Sequence, residues 1–200
     1  MDRKAQIGFT LIELMITLVV LAVVASLAFP TFVDAGRNGR MVSNANDFVA
    51  AVHGARAEAV KRRVATGICS SNDPLAADPV CAVGSFNGYI VFVDDNENGA
   101  ADATDGNGVR DAGETVLLAR EAEDRLTFNA DGRLMSFGSS GFRRNVPGAA
   151  TRLVLCDQRG NEDLGAGASA ARAITVNAAG RPQVLRTTAD VTAQGGCWSG

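Results

Sequence analysis

Residues 8–30 read GFTLIELMITLVVLAVVASLAFP, and Glu13 is the one charged side chain in this run. A carboxylate within a membrane-length apolar segment costs roughly 2.5–3.5 kcal/mol at a helix centre on insertion scales. Such a residue usually has a partner, so Glu13 is a candidate functional residue. The residues before the run form a short polar leader that carries Arg3 and Lys4.

The apolar run is long enough to span a bilayer. A helix from Phe9 to Phe29 extends over about 30 Å, the thickness of the hydrocarbon core. An ordinary secretory signal peptide has a shorter apolar part and a small-residue cleavage site after it, and residues 25–30 offer no clear site of that kind. A plain membrane anchor is the other alternative, but it leaves Glu13 and the Gly8–Phe9 junction unexplained. Pro30 lacks an N–H donor, so we predict that the helix bends or breaks there.

The remainder of the chain has the size and charge of an ordinary domain. Roughly 165 residues remain after the leader and the apolar helix, which is enough for one domain with its own core. The formal net charge is -3 and the pI is near 5.2. This balance argues against a protein that coats nucleic acid, although a local basic patch stays open. We expect no catalytic activity, because the chain has one histidine and no plausible nucleophile–base set.

The cysteines favour disulfides over a metal cluster. Cys69, Cys81, Cys156 and Cys197 form no C-x-x-C pair, which argues against zinc. An even number of cysteines in a chain whose N-terminal segment can span a membrane favours disulfides in a domain outside the cytoplasm. Four cysteines allow three pairings, and proximity in sequence favours Cys69–Cys81 and Cys156–Cys197 as bridges that fasten loops.

A second helical pattern follows the apolar run. Apolar residues recur at spacings of four and three along residues 41–59, which is typical of one buried helical face. That face consists of Met41, Ala45, Phe48, Val52, Ala55 and Ala59, and Asn44, Asp47, Arg56 and Lys61 are expected opposite it. Residues 36–39 (GRNG) are expected to interrupt the helix as a flexible joint.

After Ala65 the pattern changes to short strands separated by Gly, Asn and Asp. Eight strands are predicted: 66–70, 88–93, 115–118, 126–128, 134–137, 152–155, 173–176 and 183–187. Eight short strands after one long helix predict an α+β fold in which antiparallel sheets pack on that helix.

The N-terminal segment resembles the class III signal sequence of the type IV pilin superfamily. The resemblance lies in the short basic leader, Gly8, the segment from Phe9 to Glu13 (FTLIE) and the unbroken apolar stretch. It implies that a prepilin peptidase cuts after Gly8 and methylates the new amino terminus of Phe9. It also implies that Glu13 pairs with the amino terminus of a neighbouring subunit during assembly. Related pilins carry a proline near the position of Pro30.

Four further segments are similar to the GspH/FimT family of minor pilins and pseudopilins. They are residues 55–61 (ARAEAVK), 88–94 (GYIVFVD), 128–133 (FNADGR) and 174–181 (ITVNAAGR). The resemblance implies the pilin fold, with a leader at 1–8, a transmembrane and fibre-core helix at 9–30, an amphipathic helix at 31–65 and a globular β domain at 66–200.

The resemblance also implies an assembly function. The expected protein is a minor pilin that primes or caps a type IV pilus, anchored in the bacterial inner membrane by one pass with a periplasmic domain. Its expected partners are other major and minor pilins or pseudopilins, the prepilin peptidase and the inner-membrane assembly platform. The alternatives are a pseudopilin H of a type II secretion system, a DNA-binding minor pilin for DNA uptake, and an anchored domain that never assembles.

One acidic segment is similar in sequence to the start of a calcium-binding loop. Asp94, Asn96 and Asn98 precede Gly99 in the pattern Asp-x-Asn-x-Asn-Gly, whose oxygen ligands alternate before a glycine turn. The twelfth position is Asp105 rather than a bidentate glutamate. The acidic residues that could complete a looser site are Asp102, Asp105, Asp111 and Glu114. The alternative is a hairpin loop in which Asn and Asp cap their own backbone. No other cofactor is expected.

Four arginines are candidates for DNA binding. Arg143 and Arg144 follow a Gly/Ser loop, and Arg181 and Arg186 flank Pro182. Some FimT-type pilins are implicated in DNA uptake through an arginine-bearing C-terminal region, which the segment containing Arg181 resembles. Gln183 stands where that region often has a second arginine, so the resemblance there is incomplete. Binding would use phosphate contacts and would be salt-sensitive.

Overall fold

The computed structural model describes residues 9–82, 85–94, 106–123, 126–130, 134–146 and 151–197. It begins with one long helix, α1 (Leu11–Arg62). The chain divides after Gly39 into two compact units, of which the second is Arg40–Gly200. Helix α1 is long and apolar enough to cross a membrane.

Helix α1 does not end at Pro30, and residues 36–39 do not interrupt it. The predicted break at Pro30 and the predicted interruption by residues 36–39 are therefore wrong, and a bend at Pro30 stays a prediction. A proline removes one backbone donor, and a helix of this length can lose one hydrogen bond while the turns on either side continue.

The C-terminal part of α1 buries the predicted face. All six apolar residues of that face, from Met41 to Ala59, are buried, and Ala51 extends it. Asn44, which was expected on the opposite face, is also buried. Its side-chain Nδ2 donates to the carbonyl of Arg40 at 3.0 Å, so the amide is satisfied one helical turn back and can be enclosed.

Ten strands and a short helix follow α1. The strands are β1 (Thr66–Ser71), β2 (Ser85–Phe86), β3 (Gly88–Val93), β4 (Val116–Glu121), β5 (Thr127–Ala130), β6 (Leu134–Phe137), β7 (Arg143–Arg144), β8 (Arg152–Cys156), β9 (Ala168–Val176) and β10 (Pro182–Thr187), and the helix is α2 (Thr188–Ala193). All eight predicted strands are present: β3 and β6 have the predicted ends, and the ends of the others are shifted, most of all in β9, which begins at Ala168 and not at 173. The two-residue strands β2 and β7 and helix α2 were not predicted.

The strands form two antiparallel sheets. Sheet A has the order β4-β3-β1-β6-β7, and sheet B has the order β10-β9-β8-β5-β2. The predicted α+β fold, a long N-terminal helix followed by an antiparallel β domain, is confirmed. Alternate residues of each central strand point to opposite faces, so both sheets have a front face and a back face.

The front faces of both sheets and α1 share one core. Three aromatic rings link the three layers: Phe48 of α1 packs edge-on against Tyr89 of sheet A with centroids 5.2 Å apart, and Tyr89 packs against Phe128 of sheet B at 5.8 Å. Burial raises the pKa of the Tyr89 hydroxyl to about 12, so this ring stays neutral. A hydrogen bond also joins sheet A to α1, because Oγ1 of Thr66 donates to the carbonyl of Ala55 at 2.9 Å.

The back face of sheet A has its own small core. Cys69, Ile90 and Phe92 are buried there beneath the segments that contain Cys81 and Val109. Phe92 lies opposite Gly67 in the β1–β3 ladder, and its ring occupies the position of a Cβ atom at residue 67. The Cys69–Cys81 disulfide fastens the covering segment to the sheet.

The back face of sheet B is covered in the same way. Val191 of α2 packs with Val154 and Ala173 of the sheet, and Leu185 lies beside them. Helix α2 is capped by Thr187, whose hydroxyl accepts from the backbone N–H of Asp190 at 3.0 Å. The Cys156–Cys197 disulfide ties the segment after α2 to strand β8. Both predicted pairings are therefore present.

The two disulfides are expected to differ in their effect on stability. Cys69–Cys81 spans 12 residues and Cys156–Cys197 spans 41. In the chain-entropy model each bridge contributes about 2–4 kcal/mol, and the longer loop contributes about 1 kcal/mol more. Urea denaturation of the full chain in detergent should therefore show a larger loss for the Cys156→Ala/Cys197→Ala pair than for the Cys69→Ala/Cys81→Ala pair. The reverse order would contradict the entropic explanation.

Candidate functional site

The start of α1 is held by a side-chain cap. The hydroxyl of Thr10 accepts from the backbone N–H of Glu13 at 3.2 Å, and the carbonyl of Thr10 accepts from Leu14 at 3.2 Å. Thr10 and Glu13 have the spacing of a capping box. This helix start is visible in the sequence but was not predicted from it. Glu13 lies in the first turn, where a negative charge is favoured by the helix dipole. Gly8 lies outside the described residues, and Phe9 is 83% exposed.

The apolar side chains of the first unit are exposed. Every large apolar side chain described from Phe9 to Val33 is exposed. A contiguous apolar surface of this extent marks a contact with lipid or with other proteins. This segment and Glu13 form the candidate assembly site.

Asp94 is enclosed at the end of β3 and is only 1% exposed. Its two carboxylate oxygens accept from the backbone N–H of Gly108 at 3.2 and 3.1 Å. Arg144 approaches it at 3.6 Å. Burial raises the pKa of Asp94 to about 6, and the hydrogen bond from Gly108 and the charge of Arg144 only partly oppose this shift.

The acidic residues after Gly108 accept hydrogen bonds from within their own loop. Asn107 donates to the carboxylate of Asp111 at 3.0 Å, and the backbone N–H of Asp111 donates to the Glu114 carboxylate at 2.8 Å. The described residues contain no group of three candidate metal ligands. Asn96, Asn98 and Asp105 lie outside the described residues, so calcium binding stays a prediction.

The four candidate arginines have different surroundings. Arg144 faces inward, donating to the carbonyl of Gly106 and approaching Asp94. Arg143 is half-buried, and its backbone N–H donates to the carbonyl of Ala178 at 3.1 Å, which places it beside the turn that leads to Arg181. Arg181 and Arg186 are exposed. They are five residues apart, which corresponds to about 16 Å of extended chain.

Arg186 belongs to a basic cluster that the sequence did not predict. Burial and the nearby charges of Arg186 and Arg159 lower the pKa of Arg172. Arg159 lies against Asp157 at 2.6 Å, and Arg172 donates to the carbonyl of Ala171 at 2.7 Å. Arg172 lies in β9, Arg186 lies in the neighbouring strand β10, and Arg159 lies in the turn between β8 and β9. The three arginines therefore come together only after sheet B has formed.

Asp94 is expected to make stability depend on pH. Its folded pKa of about 6 lies above the ordinary 3.8. The folded state therefore favours the protonated carboxyl, and that stabilisation is present below about pH 4 and is lost as the pH rises through about 6. Asp94→Asn should remove this dependence, which amounts to about 3 kcal/mol for a two-unit shift. Urea denaturation of both forms at pH 4.5 and pH 8 should show about 2 kcal/mol of this change, because the Asp94 carboxyl of the unfolded chain is already mostly ionised at pH 4.5. Parallel pH curves of the two forms would contradict the prediction.

Two protein-family models match the chain. The model of the type II transport protein GspH matches residues 44–180. The model of the prokaryotic N-terminal methylation motif matches residues 3–29.

The structure is similar to two crystal structures of the type IV minor pilin FimU from Pseudomonas aeruginosa strain PAO1, determined in different space groups. The first is 20% identical, with a TM-score of 0.45, over 72% of this chain and 90% of FimU. The second is 22% identical, with a TM-score of 0.48, over 74% of this chain and 89% of FimU.

The GspH model covers most of the β domain and the helix that packs on it, and the methylation motif covers the segment with Glu13. The resemblance seen in the sequence is therefore confirmed. The chain belongs to the type II transport protein GspH family, whose members are minor pilins and pseudopilins of the type IV pilin superfamily.

Proposed function

We propose that this chain is a minor subunit of a type IV pilus, with a structural role in priming or capping the fibre. The observation that carries the proposal is the first part of α1, which is apolar on every side and has Glu13 in its first turn. Pilin subunits assemble with other pilins or pseudopilins after processing by a prepilin peptidase, and the methylation motif places this chain among them.

The chemistry at the start of α1 suits assembly. Cutting after Gly8 would create an amine at Phe9, and methylation would keep its positive charge. That charge on a neighbouring subunit would offset part of the cost of holding Glu13 away from water. The Thr10 cap fixes where the helix begins and so keeps Glu13 within the first turn. The apolar helix fits a membrane anchor before assembly and a fibre core after it.

Before assembly, we place the chain in the bacterial inner membrane with one pass and a periplasmic β domain. The disulfides support this location, since they persist in oxidising compartments such as the periplasm. The partners would be major and minor pilins and the inner-membrane assembly platform.

Glu13→Gln is the sharpest test of the assembly role. The variant should stay in the membrane, but its amount in sheared fibres should fall by at least about tenfold, because the amine of the neighbouring subunit loses its buried partner. Asp34→Asn is the matched control: it removes one carboxylate from the same helix, where Asp34 pairs locally with Arg37 at 3.2 Å. Mass spectrometry should find methylated Phe9 as the first residue of the wild-type chain. An intact Met1 terminus, or equal incorporation of the Glu13 variant, would refute the proposal.

A pseudopilin of a type II secretion system is the second candidate. The name of the matching family model favours it. The two disulfides and the arginine-bearing C-terminal region incline us toward the pilus. The neighbouring genes discriminate: other minor pilins would indicate a pilus, and a secretin operon with exported hydrolases would indicate secretion.

DNA binding is a third candidate, supported by the exposure of Arg181 and Arg186. In gel shifts of the full chain at low salt, Arg181→Ala/Arg186→Ala should bind DNA more weakly than the wild type. The slope of log affinity against log salt should fall by about 1 for each lost phosphate contact. Arg120→Ala, an exposed arginine of sheet A that pairs with Asp47, serves as the control. Equal retention of DNA by the wild type and the double variant would contradict this candidate.

A further inference from the structure

Four strands lie at the outer edges of the two sheets. Sheet A ends in β4 and β7, and sheet B ends in β10 and β2. An edge strand exposes unpaired backbone groups, and proteins usually protect such edges with short strands, prolines, bulges or charges. Strands β2 and β7 have two residues each, and β10 begins with Pro182 and has an irregular register after Leu185. Three of the four edges are therefore protected.

Strand β4 is different over its second half. It has six residues and contains no proline. Its one shift in register lies before Leu118, so the segment from Leu118 to Glu121 pairs regularly with β3. We call residues 118–121 the open edge.

The pairing with β3 fixes which backbone groups of the open edge face outward. The backbone N–H of Ala122 donates to the carbonyl of Asn87 at 2.6 Å. Since hydrogen-bonded positions alternate along an antiparallel ladder, the backbone groups of Ala119 and Glu121 point away from β3. Within the described ranges, no hydrogen bond reaches these groups. The open edge therefore presents two unpaired N–H donors and two unpaired carbonyl acceptors.

An extended chain matches these groups. They recur at every second residue, and the backbone of another β-strand has donors and acceptors at the same spacing. In recognition by strand addition, such main-chain hydrogen bonds give affinity and the alternating side chains give specificity. The open edge therefore fits an added strand.

The side chains of the open edge indicate what the added strand carries. Leu118 is 40% exposed, so an apolar residue opposite it would bury its surface. The charge of Arg120 is already compensated by Asp47 of α1 at 3.0 Å. Glu121 is exposed and makes no ion pair with any residue in the described part of the chain. An antiparallel strand with a basic residue opposite Glu121, three positions before an apolar residue opposite Leu118, therefore fits best.

A second copy of this chain does not supply such a strand. Outward residues have to pair with outward residues, which limits the antiparallel registers between two open edges. With Ala119 opposite Ala119, Arg120 lies opposite Leu118. With Ala119 opposite Glu121, the two copies of Arg120 lie opposite each other, and with Glu121 opposite Glu121 two carboxylates meet. Like charges directly opposite destabilise a sheet, and none of these registers pairs opposite charges.

We propose that the open edge of β4 accepts an extended strand from a different pilin subunit, with an apolar residue opposite Leu118 and a basic residue opposite Glu121. The contact joins one copy of this chain to one unlike subunit and does not repeat along the fibre. The inference rests on the proposed function, because a subunit that primes or caps a fibre has unlike subunits as neighbours.

Site-specific photo-crosslinking tests the contact. The full chain carries p-benzoylphenylalanine in place of Leu118 and is irradiated in cells that assemble the fibre. We expect an adduct with another pilin subunit, and mass spectrometry should map it to a segment with lysine or arginine about three residues before the crosslinked position. The same probe in place of Leu164, which is 41% exposed in the loop before β9, should not give this adduct.

Four results of this experiment would overturn the inference. They are no adduct at position 118, an adduct with a second copy of the chain, an adduct with a protein that is not a pilin, and an adduct whose peptide lacks the basic residue.

A proline substitution tests the backbone hydrogen bonds. The probe is moved to the mapped position of the partner subunit, so that Leu118 is restored. Ala119→Pro removes one outward N–H without removing a donor to β3, and the adduct yield should fall at least about fivefold. Val184→Pro removes an outward N–H from β10 and should leave the yield unchanged. Urea denaturation verifies that both variants fold, and a folded Ala119→Pro chain with the wild-type yield would rule out strand addition.

Charge reversal gives a readout that requires no change in the backbone. Glu121→Lys should lower the yield of the same adduct about threefold, within the range for an exposed ion pair. Glu123→Lys makes the same change in net charge beyond the end of β4 and should leave the yield unchanged. A glutamate in place of the mapped basic residue of the partner should restore the adduct to the Glu121→Lys chain. Equal yields from all these combinations would show that the charge pairing is wrong.

The outcomes separate this contact from the proposed function. If the chain has a methylated Phe9 terminus and enters fibres but gives no adduct at position 118, the contact is wrong and the proposed function stands. If the chain keeps Met1 and stays out of fibres, the proposed function fails whatever the adduct yield.

Discussion

A single helix with two hydrophobic patterns organises this protein. From Phe9 to Val33 the large apolar side chains described in α1 are exposed, whereas from Met41 to Ala59 one apolar face is buried. The first pattern requires lipid or other apolar helices around it, and the second requires one packed surface. The β domain supplies that surface for the second part of the helix. The same backbone hydrogen-bonding pattern therefore serves two different environments.

The β domain buries this face with two short sheets. The rings of Phe48, Tyr89 and Phe128 join helix, sheet A and sheet B into one core. Each sheet also has an apolar back face, and each back face is covered by a segment that a disulfide holds in place. A domain this small gains from such covalent ties, because its covering loops bury little area of their own.

Local patterns in the sequence were sufficient for much of this fold. The stripe from Met41 to Ala59 has the period of a helix, and the segment from Gly88 to Val93 reads as a buried strand with the bounds that the structure gives it. Strands β2 and β7 have two residues each, too few for a period to be visible. The course of the helix was harder to predict, since Pro30 favours a break that does not occur and the Thr10 cap was not predicted. The approach of Arg144 to Asp94 joins residues fifty positions apart, so no local pattern reveals it.

The packing of Phe92 on Gly67 has a consequence for how such sequences diverge. The ring lies where any side chain at position 67 would begin, and both residues belong to central strands of sheet A that cannot easily move apart. A methyl group gained at one position would need volume given up at the other. Related chains are therefore expected to change these two positions jointly, with a smaller residue at 92 wherever 67 is no longer glycine.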